Sequence, residues 1–106
     1  MTITAVRLAS GTGTASPVNV YTVPAATTVV ITRATFMNTT AGPLIINQIG
    51  VNDGTAERVV ESVKSLAAHV AYQSTGLTGL TMTAGQILII DLAVLIDFWV
   101  SGITIT

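Results

Sequence analysis

Residues able to do chemistry are few in this chain. His69 is the sole histidine, and there is no cysteine. A metal site or an acid–base centre calls for several ligands, or for a histidine beside carboxylates. The neighbours of His69 are instead small and apolar: Ala67, Ala68, Val70 and Ala71. No metal and no cofactor are expected. Asp91 and Asp97 have the residue type of a glycosidase carboxylate pair, but both stand among bulky aliphatics, so a turn or interface role is expected for each. Gly11-Thr12-Gly13-Thr14 is glycine-rich, yet it lacks the lysine and the following helix of a phosphate loop. No Ser or Thr is placed with a base for nucleophilic attack. No catalytic residue and no enzymatic activity are expected.

Composition points elsewhere. The chain has 106 residues, of which 50% are hydrophobic and 8% charged, with a formal net charge of -1. About 25% charged is usual for a soluble domain. Arg7, Arg33, Arg58 and Lys64 are scattered, which gives no basis for binding nucleic acid or an anionic membrane. The most apolar run, Ile87 to Val100, is shorter than the roughly 20 residues of a spanning helix. Asp91 and Asp97 interrupt it, each at a cost of about 2.5–3.5 kcal/mol near a bilayer centre. Met1 to Arg7 lacks the basic and apolar regions of a signal peptide. The length suits one domain, residues 1–106. A domain this small buries only roughly 60–70% of its unfolded surface. Part of the apolar surplus is therefore expected to be covered by other protein chains.

The elements that would position these residues read as strands. Threonine is roughly one residue in six, and Val and Ile are abundant; such β-branched side chains suit a pleated surface. Strands are expected over Thr2–Leu8, Val18–Val23, Thr27–Met37, Leu44–Val51, Leu80–Thr83, Ile87–Leu92 and Leu95–Val100. Ile103–Thr106 would extend the last strand after a break at Ser101-Gly102. Ala9 to Pro17 reads as a loop, and residues 1–17 as a flexible arm plus the first strand. Asn52-Asp53-Gly54-Thr55 is the strongest turn signal. In Thr27–Met37, strict alternation puts Val30, Thr32, Ala34 and Phe36 on one face, with Phe36 inward and Arg33 outward. Ala56 to Gln73 fits a helix by the spacing of Val59, Val60, Val63, Leu66, Ala67 and Val70. It also fits two strands bent near Ser65, which three valines favour. About eight strands in one small domain imply an all-β, β-sandwich or jelly-roll-like fold.

In the last strand pair, alternation puts Ile96 and Phe98 on one face and Asp97 and Trp99 on the other. A tryptophan beside an aspartate on the polar side is either half-covered by a loop or part of a subunit interface, where Trp is enriched. Leu95, Asp97, Trp99 and Arg33 are the candidate interface residues. Ile87 to Val100 carries large apolar side chains on both strand faces, which predicts cover on both faces.

A resemblance joins these observations. Val20-Tyr21-Thr22-Val23-Pro24-Ala25 resembles the opening strand of small β-structured virion proteins of tailed bacteriophages. The likeness continues through Thr28-Val29-Val30-Ile31-Thr32, Asn38-Thr39-Thr40, Leu66 to Gln73, Thr83 to Ile87 and Ser101-Gly102-Ile103. It spans roughly Val18 to Ile103. Ala26 departs from it, standing where glycine is common, and so does the very apolar Ile87–Val100 region. The resemblance implies a non-enzymatic virion component: a capsid decoration (cement) protein on the shell surface, or a neck or tail subunit. Its implied partners are copies of itself, as a homotrimer, and the major capsid protein. It would be made in the host cytoplasm and reside in the virion.

Overall fold

The computed structural model of the chain describes residues 1–106. Ten strands and no helix form it: β1 (Ile3–Thr12), β2 (Pro17–Thr22), β3 (Thr28–Asn38), β4 (Leu44–Asn52), β5 (Glu57–Glu61), β6 (Lys64–Leu66), β7 (Ala71–Gln73), β8 (Thr81–Met82), β9 (Ile87–Leu92) and β10 (Ile96–Ile105). One sheet has the order β1-β10-β3-β7, with β8 also on β3. The other has the order β2-β9-β4-β5, with β6 also on β4. Every pairing is antiparallel. The chain is thus a long hairpin folded back on itself. First pairs with last, β2 with β9, β3 with β7 and β8, and β4 with β5 and β6. Wrapped into two layers, this wiring is that of a jelly-roll sandwich.

The core lies between the sheets. Val29, Ile31, Ala34 and Phe36 of β3 meet Ile46, Ile49, Leu88, Ile90 and Leu92 of the opposite sheet, with Ile96, Phe98 and Val100 beside them. Strict alternation along β3 fails at Thr32. The register against β10 skips this residue, passing from Ser101↔Arg33 to Gly102↔Ile31. This β-bulge moves the inward set from Val29 and Ile31 to Ala34, Phe36 and Asn38. Phe36 is buried and Arg33 exposed, but Val30 and Thr32 do not share the face of Phe36.

Other boundaries shift for local reasons. Ala9–Thr12 are not loop; they continue β1, after a register slip at Leu8. Gly13 makes the close approach that ends the strand, since a Cβ there would lie 2.3 Å from the Ala93 carbonyl oxygen. Ser101-Gly102 is not a break, because β10 runs through it. A Cβ on Gly102 would stand 2.5 Å from the Val30 carbonyl oxygen. Residues 56–73 form three short strands rather than a helix or two strands. The bends fall at Ser62-Val63 and at Ala67–Val70, and Ser65 lies within β6. His69 is an exposed turn residue with φ 57°. Ala26 takes φ 56°, a left-handed conformation that glycine adopts at less cost. That is a physical reason for glycine at this turn.

Two polar clusters brace the sandwich. Asn38 is fully buried. Its Nδ2 donates to the carbonyls of Gly42, Leu66 and Ala67 at 2.8, 3.1 and 3.2 Å. Its Oδ1 accepts from the Thr40 N–H and hydroxyl at 2.9 and 2.7 Å. At the β5 rim, the Glu61 carboxylate accepts from the Tyr72 hydroxyl and the buried Ser74 hydroxyl, tying one sheet to the other. Ser74 Oγ also accepts from the Leu77 N–H at 3.1 Å.

Candidate interaction surface

The accessible surface is 5469 Å², close to the roughly 5600 Å² of an ordinary monomer of this mass. With 22 of 106 residues buried, much of the apolar half of the chain remains on that surface. It is not concentrated on β9. As a central strand, β9 has neighbours on both sides, and Ile87 and Ile89 on its outer face are partly covered. Most of the exposed large side chains lie on β1 and before it (Met1, Ile3, Val6), at the β5–β7 rim (Val59, Val63, Val70), and around the β9–β10 turn and β10 (Val94, Leu95, Trp99); Val18 of β2 and Ile45 of β4 are exposed on the other sheet.

The outer face of the β1-β10-β3 sheet collects the residues singled out in the sequence. Cross-strand rows follow from the register. Ile3 stands beside Ile105, then Ala5 beside Ile103 and Val30. Next come Arg7, Ser101 and Arg33, then Ser10, Trp99 and Thr35. The row of Thr12, Asp97 and Met37 completes the face. Asp97, Trp99 and Arg33 therefore share one surface. Leu95 sits just beyond its end, in the turn leading into β10. Trp99 is 53% exposed, and no loop covers it. The Arg7 guanidinium lies 4.9 Å from its ring centroid, a cation–π contact. Asp97 accepts a hydrogen bond from the Thr12 hydroxyl at 2.9 Å. Arg33 forms no ion pair; the single salt bridge of the molecule joins Arg58 to Asp53.

Leu95 has φ 76° and is 53% exposed. A leucine held in the left-handed region at an exposed turn is strained. The turn closes through Ile96 N–H to the Ala93 carbonyl, and the Thr39 hydroxyl donates to the Leu95 carbonyl at 3.4 Å. The two aspartates are not a pair. Asp91 projects from the outer face of the β2-β9-β4 sheet, beside Asn47, and Asp97 from the opposite outer face. No group of three His, Cys, Asp or Glu side chains gathers anywhere.

Sequence reasoning missed the Glu61–Tyr72–Ser74 cluster. Hydrogen bonding to Glu61 holds the Tyr72 hydroxyl above its ordinary pKa, with burial adding to the effect. The Lys64 ammonium lies 4.4 Å from the Tyr72 ring centroid. No local spacing announces this cluster, because its members meet only when β5 and β7 face each other across the sandwich. The Gly11–Thr14 segment lines a slot of about 80 Å³ with Val18, Ile90, Leu92 and Phe98. That is well below the roughly 300–1,000 Å³ of small-molecule sites. Its glycines serve packing, Gly11 against Phe98 and Gly13 against Leu92 and Ala93.

No protein-family model matches the sequence, and no curated protein matches it. Among solved structures, a chain from a structure of infectious bursal disease virus, Gx strain, is similar in fold. The identity is 13% and the TM-score 0.41, over 97% of this chain and 31% of that one.

Proposed function

We propose that this chain is a structural protein of a tailed-phage virion, and specifically a capsid decoration (cement) protein. It binds the outside of the shell at three-fold or quasi-three-fold positions, as a trimer, and bridges joints between subunits of the major capsid protein. The observation that carries this reading is the outer face of the β1-β10-β3 sheet. It is broad, and it presents Arg7, Arg33 and Asp97 among apolar and hydroxyl side chains. An exposed Trp99 stands near its middle, and a strained apolar turn at Leu95 marks its end. Trp and Arg are the side chains that dominate protein interfaces. Many modest contacts per copy become tight through multivalency. The jelly-roll wiring agrees with this role but does not select it, since lectins and cupins share that wiring.

A carbohydrate-binding module would use the same Trp99. Such a site calls for further exposed aromatics, and Tyr21 and Tyr72 are both partly buried against the core. A neck or tail subunit would use the same face against a different partner. Co-sedimentation with purified shells of the phage that encodes the chain tests the proposal. Stoichiometric, saturable binding is expected, with Trp99→Ala weakening it at least about tenfold. Absence of wild-type binding to shells, or glycan binding abolished by Trp99→Ala, would overturn it.

A further inference from the structure

The free edge of β1 carries an inference that does not depend on shell binding. Exposed sheet edges invite pairing with other chains, and proteins blunt them with charges, prolines, bulges or shortness. Three of the four edges here are blunted. β2 opens on Pro17 and slips register at Val20. β5 and β6 carry Glu57, Arg58, Glu61 and Lys64. β7 and β8 have three and two residues. β1 has ten residues and slips register only at Leu8, which leaves Ile3–Arg7 regular; its single charge, Arg7, leans over Trp99 of β10 and away from the edge. None of its side chains is fully buried. A strand ordered at about 1–2 kcal/mol per residue of backbone entropy with so little burial lacks a cover.

The backbone polarity of that edge follows from the first pair. Thr2 and Thr106 exchange both of their hydrogen bonds, at 3.0 and 2.9 Å. In an antiparallel ladder such residues alternate. Thr4 and Val6 therefore also bond to β10, and the N–H and C=O groups of Ile3, Ala5 and Arg7 point to the open side. We infer that this edge pairs antiparallel with β1 of a second copy about a two-fold axis through Ala5, making one continuous sheet across two chains. In this register Ala5 faces Ala5 of its partner and Ile3 faces Arg7 on the outer face, while Thr4 faces Val6 on the inner one. The one charge of the strand meets an aliphatic side chain. A register centred on Arg7 would set two guanidiniums opposite each other, which is destabilising. The pairing also covers Ile3 and Val6, which are 57% and 40% exposed in the single chain. Antiparallel self-pairing closes after two copies, as two-fold interfaces do. It leaves the Leu95 end of the face free for a three-fold or shell contact.

Cross-linking tests the register directly, because the chain has no cysteine of its own. Directly opposed residues in a hydrogen-bonded antiparallel pair have Cα atoms about 5.5 Å apart, within disulfide reach. Ala5→Cys is expected to give a two-chain covalent product under mild oxidation or with a short bis-maleimide linker, at least tenfold faster than Ser10→Cys. Ser10 is also exposed on β1, but in this register it stands ten residues of strand, about 33 Å, from Ser10 of its partner. Ala5→Lys, which sets two ammonium groups face to face, is expected to halve the mass of the free protein by light scattering while leaving its circular dichroism unchanged. Equal or absent cross-linking at the two positions, or an Ala5→Lys protein of unchanged mass, would overturn the pairing. Shells are not needed in any of these measurements, so the pairing and the shell-binding reading can fail separately.

Discussion

At one rim of the sandwich, β5 and β6 carry Glu57, Arg58, Glu61 and Lys64 within eight residues. At the other, β1 runs ten residues with Arg7 alone. Five of the nine charged side chains of the protein fall between Asp53 and Lys64. That rim is also the one tied across the sandwich by side chains, through Glu61, Tyr72 and Ser74. The β1 rim is tied mainly by its backbone ladder to β10. Sparse charge is therefore not a uniform property of this protein. The chain spends its few charges on one edge and leaves the other open.

The contrast can be broken or sharpened by substitution. The largest effect is expected from Glu61→Ala, which removes the acceptor of the Tyr72 and Ser74 hydroxyls. It should lower stability by about 2–4 kcal/mol in urea unfolding. A loss under about 1 kcal/mol would mean that the charged rim is not held by this carboxylate. At the open rim, Thr4→Pro deletes an N–H directed at β10 and should cost about 1–3 kcal/mol. Ala5→Pro deletes one directed at the free edge and should cost the single chain less than about 0.5 kcal/mol, since edge strands accept proline there. Equal costs, measured at dilutions where the chain is alone, would reverse the polarity assigned to β1.

Smaller effects follow. Arg7→Ala removes the cation–π contact, worth about 0.5–1 kcal/mol at an exposed site. Trp99 is the only tryptophan, so its fluorescence should change in the folded state; an unchanged spectrum would remove Arg7 from the ring. The smallest concerns pH. The hydrogen bond from Arg58, with those from the Ala56 and Thr55 N–H groups, holds the Asp53 carboxyl well below the usual carboxylate range. A depressed carboxylate contributes stability above its unfolded pKa of about 3.9 and loses it as pH falls toward the folded value. Arg58→Ala should raise the Asp53 pKa, read by NMR titration, and flatten the acid side of the stability profile. An unmoved titration would show the two backbone bonds to be sufficient.

Much of the architecture was legible because β-branched runs and turn residues act locally. Asn52 to Thr55 marked the β4–β5 connection, and alternation in Ile96 to Trp99 put Phe98 inside and Trp99 outside. Other features depend on partners far along the chain. The bulge at Thr32 is set by β10, and a threonine fits either face, so nothing in the local pattern breaks. Ala9–Thr12 is small and polar like a loop, but it is drawn into β1 by Val100 to Asp97 across the ladder. The helical spacing in residues 56–73 arose by chance from three short strands laid end to end. Of the candidate interface, sequence located Asp97, Trp99 and Arg33 on outward faces. It could not show that β3 and β10 are neighbours, nor that Arg7 completes the group.

The folded-hairpin wiring also sets an order of events. Thr12 and Asp97 are 85 residues apart when they meet, whereas β4 and β5 are joined by the short turn Asp53–Ala56. Closing the larger loop first would cost about 3 kcal/mol more in chain entropy. Folding is therefore expected to start at the β4–β5 end and zip outward, at the millisecond-to-second pace of non-local β proteins. β1 leaves the ribosome before β10 and finds its partner last. Throughout that interval both of its edges are open, so rapid synthesis at high local concentration is when this strand is most exposed to mispairing.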